Sequence, residues 1–255
     1  MSQYNIIAES QEYTVVSEYE HAVHTSDAYQ SEADLEKEFI HLLGEQGYEY
    51  LPIHTEADLI SNLRTQLEKL NSYHFTDNEW ETFFNTCIAN KNDDIVAKTA
   101  KIQEDYIQVL KRDTGESQNI YLIDKANIHN NFVQVINQYV EEGGKYDTRY
   151  DVTILVNGLP LVHVELKRRG VQLKEAFNQI NRYQRDSFWA GCGLYEYVQV
   201  FVISNGTNTK YYSNTTRISA IKERDGKKKV QKTSNSFEFT SFWADGNNKV
   251  IPDLV

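Results

Sequence analysis

Tyr150-Asp151-Val152-Thr153-Ile154-Leu155-Val156, Asn157-Gly158-Leu159-Pro160 and Leu161-Val162-His163-Val164-Glu165-Leu166-Lys167 make up the stretch that decides the reading of this chain. Apolar runs on either side of an Asn-Gly pair predict two buried strands joined by a tight turn. Charge in such strands is costly unless it is paired or bound to a metal. Yet an aspartate opens the first strand, and Glu165 and Lys167 close the second. Charges gathered at one end of a hairpin predict a site.

Register decides whether they meet. A strict Asn157-Gly158 turn sets Asp151 against Val164 and turns Asp151 and Glu165 to opposite faces. One extra loop residue, or a bulge, brings Asp151 opposite Glu165, roughly 5 Å away by Cα. Pro160 has no N–H for the ladder, so an irregularity is expected here. Glu165 and Lys167 share a face in either case. Two facing carboxylates repel unless a cation lies between them. Mg²⁺ suits such a pair, and the Leu166 carbonyl would add a third protein oxygen. The expected chemistry is metal-assisted phosphodiester hydrolysis, with Lys167 orienting water or meeting charge on the phosphate. The bland alternative is a Glu165–Lys167 ion pair on an exposed sheet face. Val162, Val164 and Ile154 to Val156 argue against that exposure.

The 255 residues are 40% hydrophobic, enough for a real core. One domain over 1–255 is expected, with a helical insertion at 56–100. No run approaches the roughly 20 apolar residues of a membrane span. The N-terminus lacks a secretory pattern, and Cys87 and Cys192 have no pairing pattern, so a cytoplasmic protein with reduced thiols is expected. The net charge of −11 is unevenly spread: residues 1–60 carry −12, and the remainder about +1. Within the remainder lie Lys167, Arg168, Arg169, Lys174, Arg182 and Arg185, a basic surface able to meet a phosphate backbone.

Ser31 and Asp34 predict a capped helix carrying Leu35, Phe39, Leu42 and Leu43, ending by Gly44 or Gly47. A short strand is expected over 48–53, and a helix over 56–70 with Leu59, Leu63 and Leu67 on one face. Thr76 and Glu79 form a second capping box. Strands are expected at 106–110, 120–123, 132–140 and 198–203 and around Tyr211 and Tyr212, and a helix at about 172–187. The segment 222–232 reads as an exposed charged loop. Together these give an α/β fold with a central mixed sheet flanked by helices.

Asp151 with Glu165-Leu166-Lys167 resembles the PD-(D/E)xK nuclease motif, with Tyr150 where that family often has Pro. Gln179-Ile180-Asn181-Arg182-Tyr183 resembles the QxxxY motif of RecB-like nucleases, its Gln179 and Tyr183 on one helix face. Glu32 and Glu36 share a face of the first helix, and Glu36 better matches the family's auxiliary acid. Ile7-Ala8-Glu9-Ser10, Tyr121-Leu122-Ile123-Asp124, Glu175 to Ile180 and Phe201 to Thr207 extend the likeness to the N-terminal part of the restriction (R, motor) subunit of type I restriction–modification enzymes.

The resemblance implies catalytic Asp151, Glu165 and Lys167. It implies support from Gln179, Tyr183 and Glu36, and Mg²⁺ held by Asp151, Glu165 and Leu166. It implies cleavage of unmodified double-stranded DNA after ATP-dependent translocation, with methyltransferase and specificity subunits as partners and no membrane. Arg168, Lys174 and Arg182 would touch the DNA backbone. No GxxxxGK[ST] phosphate loop occurs, so ATP is expected only for a longer polypeptide of which this looks like the nuclease part. Two other readings compete: a catalytically silent fold that docks the motor or methylase through its acidic N-terminal part, and a phosphate binder.

Overall fold

In the computed structural model, residues 6–16, 30–214, 217–222, 228–233 and 236–251 are described. In chain order they form β1 (Ile6–Glu9), β2 (Thr14–Val16), α1 (Glu32–Glu45), β3 (Glu49–Tyr50), α2 (Glu56–Asn71), α3 (Asp77–Phe83) and α4 (Ile95–Gln103). There follow β4 (Ile107–Lys111), β5 (Ser117–Tyr121), β6 (Val133–Glu141), β7 (Thr148–Val156), β8 (Leu159–Leu166), α5 (Leu173–Asp186), β9 (Val200–Ser204), β10 (Thr209–Ser213), β11 (Arg217–Lys222), β12 (Lys228–Thr233) and β13 (Ser241–Phe242). Among the described residues no helix is long and apolar enough to cross a membrane.

The central sheet has seven strands in the order β13-β10-β9-β8-β7-β6-β3. It is mixed: β8–β9 and β3–β6 run parallel, and the other neighbours antiparallel. A parallel pair needs a crossover, and α5 supplies it between β8 and β9. Helices cover both faces. Leu35, Phe39 and Leu43 of α1 pack on Val135, Val152, Val164 and Leu166. Residues of the opposite sheet face, among them Ile136 of β6, Leu155 of β7 and Phe201 and Ile203 of β9, join Leu59, Leu63 and Leu67 of α2 and Ile180 and Tyr183 of α5 in the larger core.

The helix starts follow from their caps. The Ser31 hydroxyl accepts from Asp34 N and the Asp34 carboxylate accepts back from the Ser31 backbone, as Thr76 and Glu79 do for α3. Thr55 caps α2 through Asp58 N. The Asn157-Gly158 turn has φ of 51° and 83°, the left-handed pair that a tight hairpin needs. Glycine is also required by space, because a Cβ on Gly158 would lie 2.6 Å from the Leu63 Cα of α2.

The structure corrects several expectations. The short strand near 48–53 is confined to Glu49–Tyr50, since only these residues pair with β6 in ladder geometry. Part of the expected charged loop at 222–232 is β12, paired with β11 from Arg217↔Thr233 to Lys222↔Lys228; a ladder's hydrogen bonds do not require apolar side chains. Residues 223–227 of that segment lie outside the described residues. Helix α4 carries no strong apolar periodicity because one of its inward positions is Lys98, and Asp94 caps it through Val96 N and Ala97 N. Lys98 is 2% exposed, and its Nζ donates to Gly193 O at 2.8 Å and to Glu196 Oε2 at 2.9 Å. That pair ties α4 to the 3-10 turn Leu194–Tyr197.

A second buried ionisable group has a pH consequence. Glu141, the last residue of β6, is 4% exposed; burial, then the nearby Glu56 and Glu142, push its carboxyl up to about 8. The native state keeps this proton while the unfolded chain releases it near the usual 4.5. The associated stability is present below that lower value and is lost as pH rises toward 8. Glu141→Gln removes the loss. In urea unfolding at pH 5 and pH 9 the variant should gain about 3 kcal/mol on the wild type across the interval. Parallel pH profiles for the two proteins would refute this.

Candidate active site

The hairpin is regular at its turn and forked at its far end. Val156 pairs with Leu159 and Leu155 with Pro160, but Ile154 pairs with Val162, so Leu161 is the extra residue of a bulge. That is the irregularity Pro160 leads one to expect. It sets Val152 opposite Val164 and aligns Asp151 with Glu165. There the strands part: β7 stays on β6 as far as Glu141↔Thr148, and β8 stays on β9 as far as Leu166↔Ser204. In the fork, Leu166 N donates to Asp151 Oδ2 at 2.9 Å. The Asp151 carboxylate thus fills the place of a ladder carbonyl, and both acids end up in the same opening.

Glu165 is fully buried, and its Oε1 accepts from Lys167 Nζ at 2.8 Å. Lys167 Nζ also donates to Leu166 O at 3.1 Å. Burial, then the Glu165 charge, push Asp151 up to about 7. Burial likewise pushes Glu165 up to about 7, against the pull of the Lys167 ammonium. Burial works to discharge Lys167, but Glu165 outweighs it and holds the ammonium above the usual lysine range. The site therefore has two carboxylates whose charge the protein alone does not fully compensate. Glu165 Oε2 is buried without a hydrogen-bond partner.

Among the described residues no group of three His, Cys, Asp or Glu side chains gathers in a form that could hold a metal ion. The donors available are instead two carboxylates and the Leu166 carbonyl. That set fits Mg²⁺, which takes few protein oxygens and fills its remaining positions with water and phosphate. Two acids that repel each other in one opening, Glu165 bonded to Lys167 and Asp151 to a backbone N–H, are the observation that favours a cation.

The other sequence candidates lie on α5, on α1 and just past β8. Gln179 and Tyr183 lie on α5, where Gln179 Nε2 donates to the Tyr183 hydroxyl and the hydroxyl donates to Arg149 O at 3.4 Å. Burial, then the Glu165 charge, hold that hydroxyl above the usual tyrosine range, so it stays protonated. Tyr150 anchors the adjoining stretch of β7: its ring centroid is 5.0 Å from that of Tyr183 and its hydroxyl donates to Ser187 Oγ at 2.8 Å. Arg168, Lys174 and Arg182 are exposed, Arg168 just past β8 and the other two on α5. The Arg182 guanidinium lies 6.0 Å from the Tyr183 ring centroid.

The two acids of α1 divide their contacts. Glu36 accepts from the Asn137 side-chain amide at 2.6 Å and from that of Gln138, and Gln138 lies in β6 between the pairs Asn137↔Val152 and Tyr139↔Tyr150 in a left-handed backbone with φ 53°. Glu32 accepts from Arg168 N at 3.3 Å, and its charge reaches both Glu165 and Lys167. The family pattern pointed to Glu36, and the electrostatics of the opening point to Glu32. Sequence reasoning passed over Gln138 and His163. A polar residue inside an otherwise apolar strand was the available signal for His163.

A mixed sheet between helices, with an aspartate and an ExK triplet brought into one fork, has the form of a PD-(D/E)xK-like core. Residues 29–220 match the family model for the type I restriction enzyme R protein N terminus. The chain belongs to that family. It is 47% identical over 249 residues to the type I restriction enzyme EcoprrI endonuclease subunit of Escherichia coli, covering 97% of this chain and 75% of that one. It is 42% identical over 192 residues to the SauCOLORF180P endonuclease subunit of Staphylococcus aureus (strain COL), covering 73% of this chain and 20% of that one. It is 28% identical over 199 residues to the HindI endonuclease subunit of Haemophilus influenzae, where it covers 18% of the relative. The chain thus spans about a fifth of the length of the last two relatives.

Proposed function

We propose that this chain is the Mg²⁺-dependent DNA endonuclease part of a type I restriction enzyme. The observation that carries the reading is the fork that brings Asp151 and Glu165 together beside Lys167. Asp151, Glu165 and the Leu166 carbonyl would hold the ion, which when bound supplies a Lewis acid and a more acidic water. Lys167 keeps its proton against burial and so stands ready to stabilise charge building on the scissile phosphate. Tyr183, protonated and bonded to Gln179, ties α5 to β7 through the Arg149 carbonyl. Arg168, Lys174 and Arg182 are exposed and would meet the DNA backbone without reading its sequence. In a longer polypeptide an ATP-driven motor would deliver the DNA, and methyltransferase and specificity subunits would choose it. A silent docking role is disfavoured, because such a module has no use for a half-buried and a fully buried acid that repel one another.

Calorimetric titration with Mn²⁺, standing in for Mg²⁺, tests the centre directly. The wild-type chain should bind it, and Asp151→Asn with Glu165→Gln should weaken binding at least about a hundredfold. Equal binding by the wild type and the double variant would remove the fork as the metal site.

A further inference from the structure

His163 sits two residues before Glu165 and is fully buried, yet neither ring nitrogen has a hydrogen-bond partner. Its Nε2 lies 3.6 Å from Glu165 Oε2, the carboxylate oxygen that is also buried without a partner. Two orphaned polar groups facing each other in a dry interior are a rare arrangement, and a single bond would satisfy both. An ordinary N–H···O contact is about 2.9 Å, so the gap is roughly 0.7 Å. Rotation about the broad terminal torsion of a glutamate side chain covers that distance.

The imidazole cannot easily turn away. Tyr150, Tyr183, Phe188, Tyr195 and Phe201 surround it, each within 6.5 Å by ring centroid and each nearly edge-on, with interplanar angles of 73° to 80°. This cage aims Nε2 at the carboxylate. Its apolar walls favour a neutral ring, which has one N–H to place. On Nδ1 that proton faces no acceptor, and the Nε2 lone pair faces the carboxylate's own lone pairs. On Nε2 it points at Oε2, and the only cost is an unused acceptor at Nδ1.

We infer that His163 is a positioning residue of the proposed metal centre: its Nε2–H donates to Glu165 Oε2 and fixes the carboxylate so that Oε1, beside Lys167, is the oxygen presented to a cation. The inference rests on the nuclease reading. It treats Glu165 as a ligand oriented from behind, as ligating groups commonly are. The aromatic cage then acts on the chemistry by holding the ring that holds the acid.

Two measurements test it. In the ¹⁵N-labelled wild-type chain, a long-range ¹H–¹⁵N spectrum, assigned by comparison with His163→Gln, should show His163 as the Nε2–H tautomer. The Nδ1–H tautomer overturns the inference, and this readout needs neither metal nor activity. In Mn²⁺ calorimetry, His163→Phe keeps a ring in the cage but has no donor, and should weaken binding about 10- to 100-fold. His163→Gln keeps a donor and should stay within about threefold of wild type. Wild-type affinity in His163→Phe overturns the inference while leaving the centre intact. A wild-type chain that binds no Mn²⁺ overturns the centre itself, and this role with it.

Discussion

Asp151→Ala and Glu165→Ala, each carried in the full-length subunit and assembled with its partners, should lower DNA cleavage at least about a thousandfold while ATP hydrolysis continues at the wild-type rate. On the proposed reading each acid would supply one of two carboxylates to the ion, and among the described residues no third acidic side chain gathers with them in a metal-binding group. Lys167→Ala should cost about a hundred- to a thousandfold. Its ammonium is already paired with Glu165, so the loss also leaves that carboxylate less well neutralised. Gln179→Ala and Tyr183→Phe should fall short of these effects, about tenfold, because they support the opening from α5 and do not ligate. Plasmid cleavage and phosphate release, measured on the same preparations, separate the two activities. Persistent cleavage in Asp151→Ala or Glu165→Ala would place the reaction elsewhere.

Lys98→Ala should be the most damaging substitution outside the site. The side chains of Lys98 and Glu196 are 3% and 14% exposed, so removing the lysine strands a carboxylate in the interior. Breaking such a pair costs about 3–5 kcal/mol. For a chain of this size that lowers the melting temperature by roughly 10 °C. The turn that Glu196 belongs to also carries Tyr195, whose ring centroid is 4.4 Å from that of Tyr150, next to Asp151. The double variant Lys98→Met with Glu196→Leu replaces both charges by apolar groups of similar length and should recover most of the loss. Thermal unfolding of wild type, Lys98→Met, Glu196→Leu and the double closes the cycle. A double variant as unstable as Lys98→Ala would mean that the charge pair is not what holds α4.

The sequence exposes the fold wherever local chemistry acts alone. Ser31 with Asp34 and Thr76 with Glu79 mark helix starts because their bonds are made within four residues. The Asn-Gly pair marks the hairpin for the same reason. What it hides depends on distant partners. Lys98 looks like a surface residue until Glu196 and Gly193 O close around it. Gln138 gives no hint of a left-handed backbone, since its side chain is held by Glu36, far away in sequence on α1. The site divides in the same way. Asp151, Glu165 and Lys167 are legible as a pattern, and the bulge follows from Pro160. The fork is not legible, because it arises from β7 and β8 each following a different neighbour. The choice between Glu32 and Glu36 turns on how α1 lies across the sheet, which helical spacing alone does not fix.

The contact between Gly158 and Leu63 has a practical side. A hairpin tip is ordinarily the first place to splice in a fluorophore tag, an affinity epitope or new chain termini. Here the tip is closed to such grafts, since even one methyl group would drive into the backbone of α2. The connection between β4 and β5 is the better port: Thr114 and Gly115 are exposed, and nothing lies within 4 Å of a side chain built on Gly115. A reporter placed there leaves the β7–β8 hairpin seated and gives a handle for testing whether DNA binds.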